Sequence, residues 1–203
     1  MRFALDPNEV KGFLDPDEGA RLYDLAFAVS ASGPCLEVGS YCGKSTIYLA
    51  SACRAQGAVL YAVDHHRGSE EHQVGEAYHD PALYDAAAER MDSFRMFRRT
   101  LALADLEDTV VPIVAASELV GRHWTTPLQL VFIDGGHSLA AAMADYAAWA
   151  PHVASGGYLA IHDIFPDPDD GGQAPYEIYR LALASGEFEE REMTKTLGVL
   201  QRR

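Results

Sequence analysis

The sequence predicts one α/β domain with a mostly parallel β-sheet, spanning residues 1–203. Three observations predict it: short apolar runs alternate with longer helical stretches, two strand-like segments end the chain, and no linker, repeat or low-complexity tract interrupts the pattern. The length of 203 residues and the hydrophobic share of 48% suit one sizeable core. Ligands bind such sheets at the carboxyl ends of the strands, so polar residues at strand ends are candidates for a functional site.

The chain begins with a predicted helical segment, residues 1–30. A helix is predicted from Pro16 to Ser30, because an N-cap aspartate, Asp15, precedes a proline at the first helical position and an acid at the third. The elements predicted next are a strand over 34–38, a glycine turn, a helix over 44–54 and a strand over 59–63.

Residues 65–82 form a different kind of segment, polar and rich in histidine and glutamate, without a hydrophobic period. A loop of this length in a compact domain is usually functional or disordered, and we interpret it as a mobile lid over a ligand site. A helical region from Leu83 to Ala104 is predicted to follow.

The second half of the chain continues the alternation. Ser138 caps a predicted helix over 139–150, whose predicted buried stripe is Leu139, Met143, Tyr146 and Ala150. The other predicted elements are a short helix from Ser117, a helix over 176–185, and strands over 109–115, 128–133, 158–161, 188–193 and 197–202.

Composition and charge exclude several classes of function. A net charge of −14 argues against a nucleic-acid partner, which requires a basic face. The longest apolar runs are far shorter than a membrane span, and acids and prolines occupy the N-terminus where a signal peptide needs an apolar core. We therefore expect a cytoplasmic protein without a membrane partner. The three cysteines are odd in number and lack a CxxC pair, so neither a disulfide framework nor a zinc knuckle is indicated.

The most informative motif is the turn Glu37-Val-Gly-Ser-Tyr-Cys-Gly-Lys-Ser-Thr46, which leads from a strand into a helix. One interpretation is a P-loop, since Gly43-Lys-Ser45 matches its end and an apolar run ending in Asp134 resembles the strand that holds Mg²⁺. The spacing argues against it, because Val38 stands where a P-loop needs a small residue.

The second interpretation of the turn is a site for a nucleoside that carries no phosphate. Asp64 ends the next strand 21 residues after Gly43, where an acid can accept hydrogen bonds from both ribose hydroxyls. The turn has the pattern E-x-G-x-x-x-G instead of G-x-G-x-x-G, which disfavours a dinucleotide.

Together with Asp64 and the segment Phe132-Ile-Asp-Gly-Gly-His137, the turn resembles class I S-adenosylmethionine-dependent methyltransferases. The resemblance covers most of residues 20–203. It implies a Rossmann-like, seven-stranded mostly parallel sheet with an antiparallel C-terminal strand. The segment FIDGGH and the His-Asp pair at the end of the fifth predicted sheet strand resemble small-molecule and sugar O-methyltransferases. The stretches AVDHHRGSEEHQ, FIDGGH and AIHDIFPDPDDGGQAPYEIY look closest to actinobacterial enzymes, which include sugar O-methyltransferases of the methylmannose polysaccharide type.

The resemblance implies a set of residues that bind S-adenosylmethionine. Asp64 would take the ribose hydroxyls, and His65 would border the adenosine. Ser117 would lie near the adenine, with a plain helix N-cap as the equal alternative. The remaining implied cofactor-binding residues are Glu37, Gly39, Ser40, Gly43, Ser45 and Asp134.

A second constellation consists of Asp134, His162 and Asp163, which end neighbouring strands about 4.8 Å apart. Related metal-dependent O-methyltransferases hold Mg²⁺ in this corner through carboxylates. Histidine departs from the all-oxygen set that Mg²⁺ prefers, which leaves Mn²⁺ open. The alternative is a metal-free site, in which Asp163 caps a turn and His162 is a buried hydrogen-bond partner. Asp134 and His137 are the predicted catalytic residues, and His137 either takes a proton or merely orients the Asp134 loop.

The expected function is therefore metal-assisted transfer of a methyl group from S-adenosylmethionine to a small-molecule or sugar hydroxyl, such as that of a mannoside. Within the lid segment, residues 65–82, Arg67 and Tyr78 are the candidates for contact with a sugar acceptor. Three other classes stay open: a P-loop-like nucleotide-binding ATPase, a metal-dependent hydrolase using the His/Asp cluster, and a catalytically silent protein that binds the cofactor. The resemblance leaves a homodimer open as well.

Overall fold

The computed structural model describes residues 3–76 and 78–203. The helices are α1 (Pro16–Val29), α2 (Lys44–Ala55), α3 (Phe94–Leu103), α4 (Ser117–Gly121), α5 (Leu139–Trp149) and α6 (Ala174–Ala184). The strands are β1 (Cys35–Val38), β2 (Leu60–Val63), β3 (Tyr84–Asp85), β4 (Arg90–Met91), β5 (Val110–Ile113), β6 (Leu128–Ile133), β7 (Val153–Ile161), β8 (Phe188–Thr194) and β9 (Leu197–Arg202). Within the described part of the chain, no helix is both long enough and apolar enough to cross a membrane.

The main sheet has seven strands in the order β5-β2-β1-β6-β7-β9-β8. The first five strands in this order pair in parallel, whereas β9 pairs antiparallel with both β7 and β8. The predicted mostly parallel sheet with an antiparallel C-terminal strand is thus confirmed. Parallel pairing requires crossovers, and the helices between the strands supply them.

Helices cover both faces of the sheet and divide the core into two clusters. Helices α1, α2 and α3 pack on one face and α4, α5 and α6 on the other. Successive strand residues alternate between the clusters: Phe132 belongs to the first and Ile133 to the second. Because both faces are buried, the central strands are largely apolar, which explains the short apolar runs in the sequence, whereas the edge strand β8 carries several charged residues.

The strand order places a ligand crevice at the end of β1. This strand pairs with β2 on one side and with β6 on the other, so the chain winds in opposite directions from it. Such a reversal opens a crevice at the carboxyl ends of the strands. Gly39 follows β1 and Asp134 follows β6 at this point.

The predicted helix over 83–104 is wrong in its first half. Residues 84–91 instead form a small β3–β4 hairpin, and α3 starts only at Phe94. The side chain of Asp85 accepts hydrogen bonds from the backbone N–H groups of Ala87 and Ala88, and Glu89 has a left-handed φ of 53°. These local bonds offer the backbone an alternative to the helix.

The predicted buried stripe of α5 is also wrong at two positions, since Leu139 is 55% exposed and Met143 is 40% exposed. The helix buries Ala142, Asp145 and Trp149 instead. Alanines lie on nearly every side of this helix, so its sequence shows little hydrophobic periodicity. Burial of the large Trp149 side chain therefore determines which face of the helix packs on the sheet. Strand β7 likewise begins five residues before its predicted start, at Val153, where it pairs with Leu128.

Candidate active site

The turn after β1 requires glycine at position 39. Gly39 has a φ of +85°, and a Cβ atom added there would lie 2.0 Å from the carbonyl oxygen of Asp134. The ends of β1 and β6 therefore approach so closely that no side chain fits between them. This contact brings the glycine turn and Asp134 into one crevice.

The rest of the turn carries polar groups that have no hydrogen-bond partner among the described residues. Ser40 is buried, and its hydroxyl has no hydrogen-bond partner among the described residues. Gly43, with a φ of +94°, precedes α2, and no side chain caps the N-terminus of that helix. A buried hydroxyl without a partner is costly in a folded protein, and a bound ligand would supply the partner.

Glu37 lies completely buried beneath the turn. The hydroxyls of Ser45 and Thr46 donate hydrogen bonds of 2.5 and 2.6 Å to its two carboxylate oxygens. Burial raises the pKa of Glu37 to about 8; the two hydroxyls oppose the shift, and the negative charges of Asp134 and Asp64 add to it. The hydrogen bonds of Glu37 thus connect β1 to the first turn of α2, and its carboxyl group interacts electrostatically with Asp64 and Asp134.

The pKa of Glu37 has a consequence for stability. The unfolded chain releases this proton near pH 4.5, whereas the folded protein keeps it up to about pH 8. Since the folded state binds more protons in between, the free energy of unfolding falls as the pH rises through this range. We expect wild type to lose a few kcal/mol over the interval relative to a Glu37→Gln variant. Urea titrations at several pH values check this, and parallel stability curves for the two proteins would contradict it.

Asp64 ends β2 and is bonded to the glycine turn. Its carboxylate accepts hydrogen bonds from the backbone N–H groups of Tyr41, at 2.8 Å, and His66, at 2.6 Å. Tyr41 and His66 both have left-handed backbone conformations, which the sequence did not indicate. His66 is buried and hydrogen-bonded to Ser93, whereas the predicted site residue His65 is exposed beside it.

Ser117 is the first residue of α4 and not its N-cap, which is Ala116. Its hydroxyl accepts a hydrogen bond of 2.6 Å from the indole of Trp149 and also bonds the buried carboxyl of Asp145. Burial raises the pKa of Asp145 to about 6, against the opposing hydrogen bond from Ser117. The carboxyl of Asp145 also packs closely against the loop after β6: a Cβ atom added at Gly135 would lie 2.4 Å from Oδ2 of Asp145. The sequence analysis missed Asp145, although a lone acid on an alanine-rich helix was a visible signal.

The predicted metal ligands lie together at the ends of β6 and β7. One ligand atom from each of Asp134, His162 and Asp163 lies within 4.8 Å of the others. The Nδ1 atom of His162 is 3.1 Å from Oδ1 of Asp134 and 3.5 Å from Oδ1 of Asp163. Asp163 holds a left-handed φ of 58°, and such strained backbone often marks a functional position.

His137 reaches the same cluster from the loop after β6. Its Nε2 atom lies 3.1 Å from Oδ2 of Asp163. The carboxyl of Asp163 is partly desolvated, but its bond to His137 and the charge of His162 hold its pKa below the usual value. The predicted catalytic and metal-binding residues therefore form one hydrogen-bonded group.

Glu18 completes this group, and the sequence analysis gave it no functional role. It is 2% exposed on α1, and its Oε2 atom lies 3.0 Å from Nε2 of His162. Burial alone would lower the pKa of His162, but the charge of Asp134 and hydrogen bonds to Asp134 and Glu18 raise it to about 11. The only signal in the sequence was the helix-capping pattern to which Glu18 belongs.

The donor set of this cluster fits a divalent cation. One oxygen from each of two carboxylates and one imidazole nitrogen lie within 4.8 Å of one another. Carboxylates alone suit Mg²⁺, whereas a set that includes imidazole also suits Mn²⁺ and other transition metals. The residues present are therefore compatible with the metal site predicted from the sequence.

The segment over 65–82, apart from Ala77, contacts the glycine turn and the N-terminal residues. Aromatic rings of the two segments meet near the glycine turn: Phe13 lies 5.2 Å from Tyr78 and 6.2 Å from Tyr41 between ring centroids. Lys11 and Asp80 form an ion pair between the segments. The proposed roles of this loop as a lid, and of Arg67 and Tyr78 in sugar contact, stay predictions.

Comparison with known families decides the assignment. Residues 36–164 match a protein family described as "Methyltransferase domain". The chain belongs to this methyltransferase family. The match begins in β1 and ends just after His162 and Asp163, so it includes the glycine turn, Asp64 and the cluster at the ends of β6 and β7.

Solved structures show that the methyltransferase shares its fold with other proteins. Cofactor-bound Rv0187 from MTB is 17% identical, with a TM-score of 0.68, over 98% of this chain and 86% of that one. The O-methyltransferase from Bacillus cereus in complex with SAH is 16% identical, with a TM-score of 0.64, over 94% and 83%. TomG from Streptomyces achromogenes, an O-methyltransferase involved in tomaymycin synthesis, has 16% identity and a TM-score of 0.63 over 94% and 81%.

Proposed function

We propose that this methyltransferase uses S-adenosylmethionine to methylate a hydroxyl group of a small molecule, with a divalent cation bound at Asp134, His162 and Asp163. The observation that carries the proposal is the meeting of a glycine turn and a three-ligand cluster at one crevice, brought together by the contact of Gly39 with Asp134. The solved O-methyltransferases from Bacillus cereus and Streptomyces achromogenes hold SAH and SAM, respectively, which supports the choice of cofactor.

The cofactor would lie along the crevice, from the metal cluster to α4. Asp64 would accept hydrogen bonds from the ribose, since Tyr41 and His66 use only part of the capacity of its two oxygens. Gly39, Ser40, Gly43 and the region of Glu37 and Ser45 would border the methionine moiety. His65 and Ser117 would border the adenine.

The reaction requires an aligned and deprotonated hydroxyl, because the methyl group of a sulfonium is already activated. A bound cation would lower the pKa of an alcohol, as it does that of bound water. The chain's own residues supply the rest: Asp134, His162 and Asp163 would hold the ion, and His137 would take the proton of the acceptor. Asp163 Oδ2, 3.1 Å from His137 Nε2, fixes the orientation of that ring.

The finer proposal concerns the acceptor, for which we favour a sugar hydroxyl, including that of a mannoside. The resemblance to actinobacterial sugar O-methyltransferases supports it. The rings of Phe13 and Tyr78 support it as well, since both lie near the glycine turn and are 66% and 50% exposed. Exposed aromatic rings beside a binding site can pack against the apolar face of a sugar.

A P-loop function is not favoured by the geometry. Lys44, which would have to reach a nucleotide phosphate, instead packs along Gly12 and lies with its Nζ 3.5 Å from the carbonyl oxygen of Gly12. Titration calorimetry with S-adenosylmethionine, S-adenosylhomocysteine and ATP tests the assignment. We expect the two adenosyl compounds to bind and ATP not to bind; binding of ATP alone would overturn the proposal. A metal hydrolase would turn over a substrate without any methyl donor.

Ser40 gives the cofactor site a specific test. Its hydroxyl has no partner in the described part of the chain, so Ser40→Ala removes no internal hydrogen bond and should not lower the melting temperature. If the cofactor supplies the partner, the variant should bind S-adenosylhomocysteine about tenfold more weakly, the effect of one hydrogen bond of roughly 1–1.5 kcal/mol. Calorimetry measures both proteins. Ser30→Ala, which removes another buried hydroxyl without a partner, is the matched control and should bind like wild type.

A further inference from the structure

Glu18 connects three parts of the fold that are far apart in the sequence. One carboxylate oxygen, Oε2, lies 3.0 Å from Nε2 of His162, 144 residues away. The other, Oε1, accepts hydrogen bonds from the backbone N–H of Thr196, at 2.9 Å, and from its hydroxyl, at 2.7 Å. Helix α1, the end of β7 and the β8–β9 turn therefore meet at one buried carboxylate.

Helix capping does not account for these contacts. Glu18 is the third residue of α1 and also accepts a hydrogen bond from the backbone N–H of Asp15, as a capping glutamate does. That bond is 3.3 Å long, whereas the bonds to Thr196 and His162 are 2.7–3.0 Å. A capping glutamate alone would also have no reason to be 98% buried, since a helix start can be capped at the surface.

The two ring nitrogens of His162 have different partners. Nε2 faces Glu18, and Nδ1 faces the carboxylates of Asp134 and Asp163. When a cation takes the place of the proton on Nδ1, the lone pair of Nδ1 is directed at the cluster, and the proton on Nε2 still donates to Glu18. Histidines that ligate metals commonly donate their other N–H to a carboxylate in this way, which fixes the tautomer and the ring orientation.

We propose that Glu18 is a positioning residue of the metal centre, which holds His162 with its proton on Nε2 so that Nδ1 is a ligand. The inference rests on the proposed metal site at Asp134, His162 and Asp163. It adds a residue from α1 to a site whose ligands all follow strands of the sheet. The packing of α1 then controls how His162 faces the metal.

The substitution Glu18→Gln tests this with a defined change in hydrogen bonding. Two donors of Thr196 point at Oε1 from 2.9 and 2.7 Å, whereas the backbone N–H of Asp15 points at Oε2 from 3.3 Å, so we expect the amide oxygen at the Oε1 position. The amide NH₂ group then takes the place of Oε2 and donates to Nε2 of His162. The proton of the ring moves to Nδ1, where it points at Asp134 and Asp163 and blocks the metal. We expect Mn²⁺ to bind about 10- to 100-fold more weakly, as for other losses of an outer-shell partner.

The measurement is a titration of the whole chain with Mn²⁺, with free Mn²⁺ followed by electron paramagnetic resonance. Thr196→Val is the matched control, because it removes a hydroxyl donor to the same carboxylate and leaves the contact of Oε2 with His162. Both variants should lower the melting temperature, but only Glu18→Gln should weaken Mn²⁺ binding. Wild-type affinity in Glu18→Gln, or an equal loss in Thr196→Val, would overturn the inference.

Calorimetry with S-adenosylhomocysteine separates this inference from the assignment of the cofactor. We expect wild type and both variants to bind it equally. If wild type binds S-adenosylhomocysteine but not Mn²⁺, the metal centre and the role of Glu18 are both wrong, while the methyl donor stands. If Mn²⁺ binds and responds to Glu18→Gln but S-adenosylhomocysteine does not bind, the role of Glu18 stands and the methyl donor is wrong.

Discussion

A Gly39→Ala variant is expected to lose most of its stability and its binding of S-adenosylhomocysteine. The added Cβ would lie 2.0 Å from the carbonyl oxygen of Asp134 and 2.6 Å from its carbonyl carbon. Both atoms belong to the backbone of a central strand end, so no rotamer change relieves the overlap. The left-handed φ of +85° adds strain to any residue with a side chain. We expect a loss of about 4 kcal/mol or more in the free energy of unfolding, which is rare for a single substitution.

The matched control for this experiment is Gly57→Ala. Gly57 also has a left-handed φ, +69°, but an added Cβ there meets nothing within 4 Å. The Gly57→Ala substitution should lower the free energy of unfolding by only about 1–2 kcal/mol, because it adds backbone strain but no steric overlap. Urea denaturation compares the two variants, and calorimetry follows cofactor binding. If Gly39→Ala is no less stable than Gly57→Ala, the close approach of β1 and β6 does not hold the crevice together.

The sequence predicts most of the fold because its signals are local and periodic. Buried parallel strands are short apolar runs, and α1 carries its capping residues next to one another. The failures occur where the local signal is weak. The β3–β4 hairpin depends on side-chain bonds of Asp85, and α5 is so rich in alanine that burial of Trp149 decides its orientation.

Some residues of the candidate site can be predicted from the sequence, and others cannot. Asp64, Asp134, His162 and Asp163 can be predicted to lie near one another from the sequence, because topology alone brings the carboxyl ends of parallel strands together. Glu18 could not be found in this way, because its partners His162 and Thr196 lie 144 and 178 residues away. No periodicity or spacing encodes contacts of that range. Residues that orient the ligands of a site through long-range contacts, as Glu18 does, can therefore be identified only from the structure.

The second large effect is expected at Asp134. Asp134→Ala removes a carboxylate from a set of three ligands and from the contact with Nδ1 of His162. We expect Mn²⁺ affinity to fall more than about 100-fold, beyond the loss expected for an outer-shell partner such as Glu18. Methyl transfer should fall by on the order of 10³-fold, because the stabilisation of charge on the acceptor oxygen is lost with the ion.

Two measurements test this prediction: the Mn²⁺ titration, and release of S-adenosylhomocysteine during turnover of an acceptor found by screening sugars and phenols. Asp169→Asn, which neutralises an exposed acid in the loop after β7, is the control and should match wild type in both. Asp134→Ala should lose more Mn²⁺ affinity than Glu18→Gln, because a metal ligand contributes more to binding than a residue that orients a ligand. If Asp134→Ala abolishes transfer but binds Mn²⁺ as wild type does, Asp134 acts on the acceptor or on His162 and not on a metal. If Glu18→Gln weakens Mn²⁺ binding more than Asp134→Ala does, the assignment of ligand and support has to be reversed.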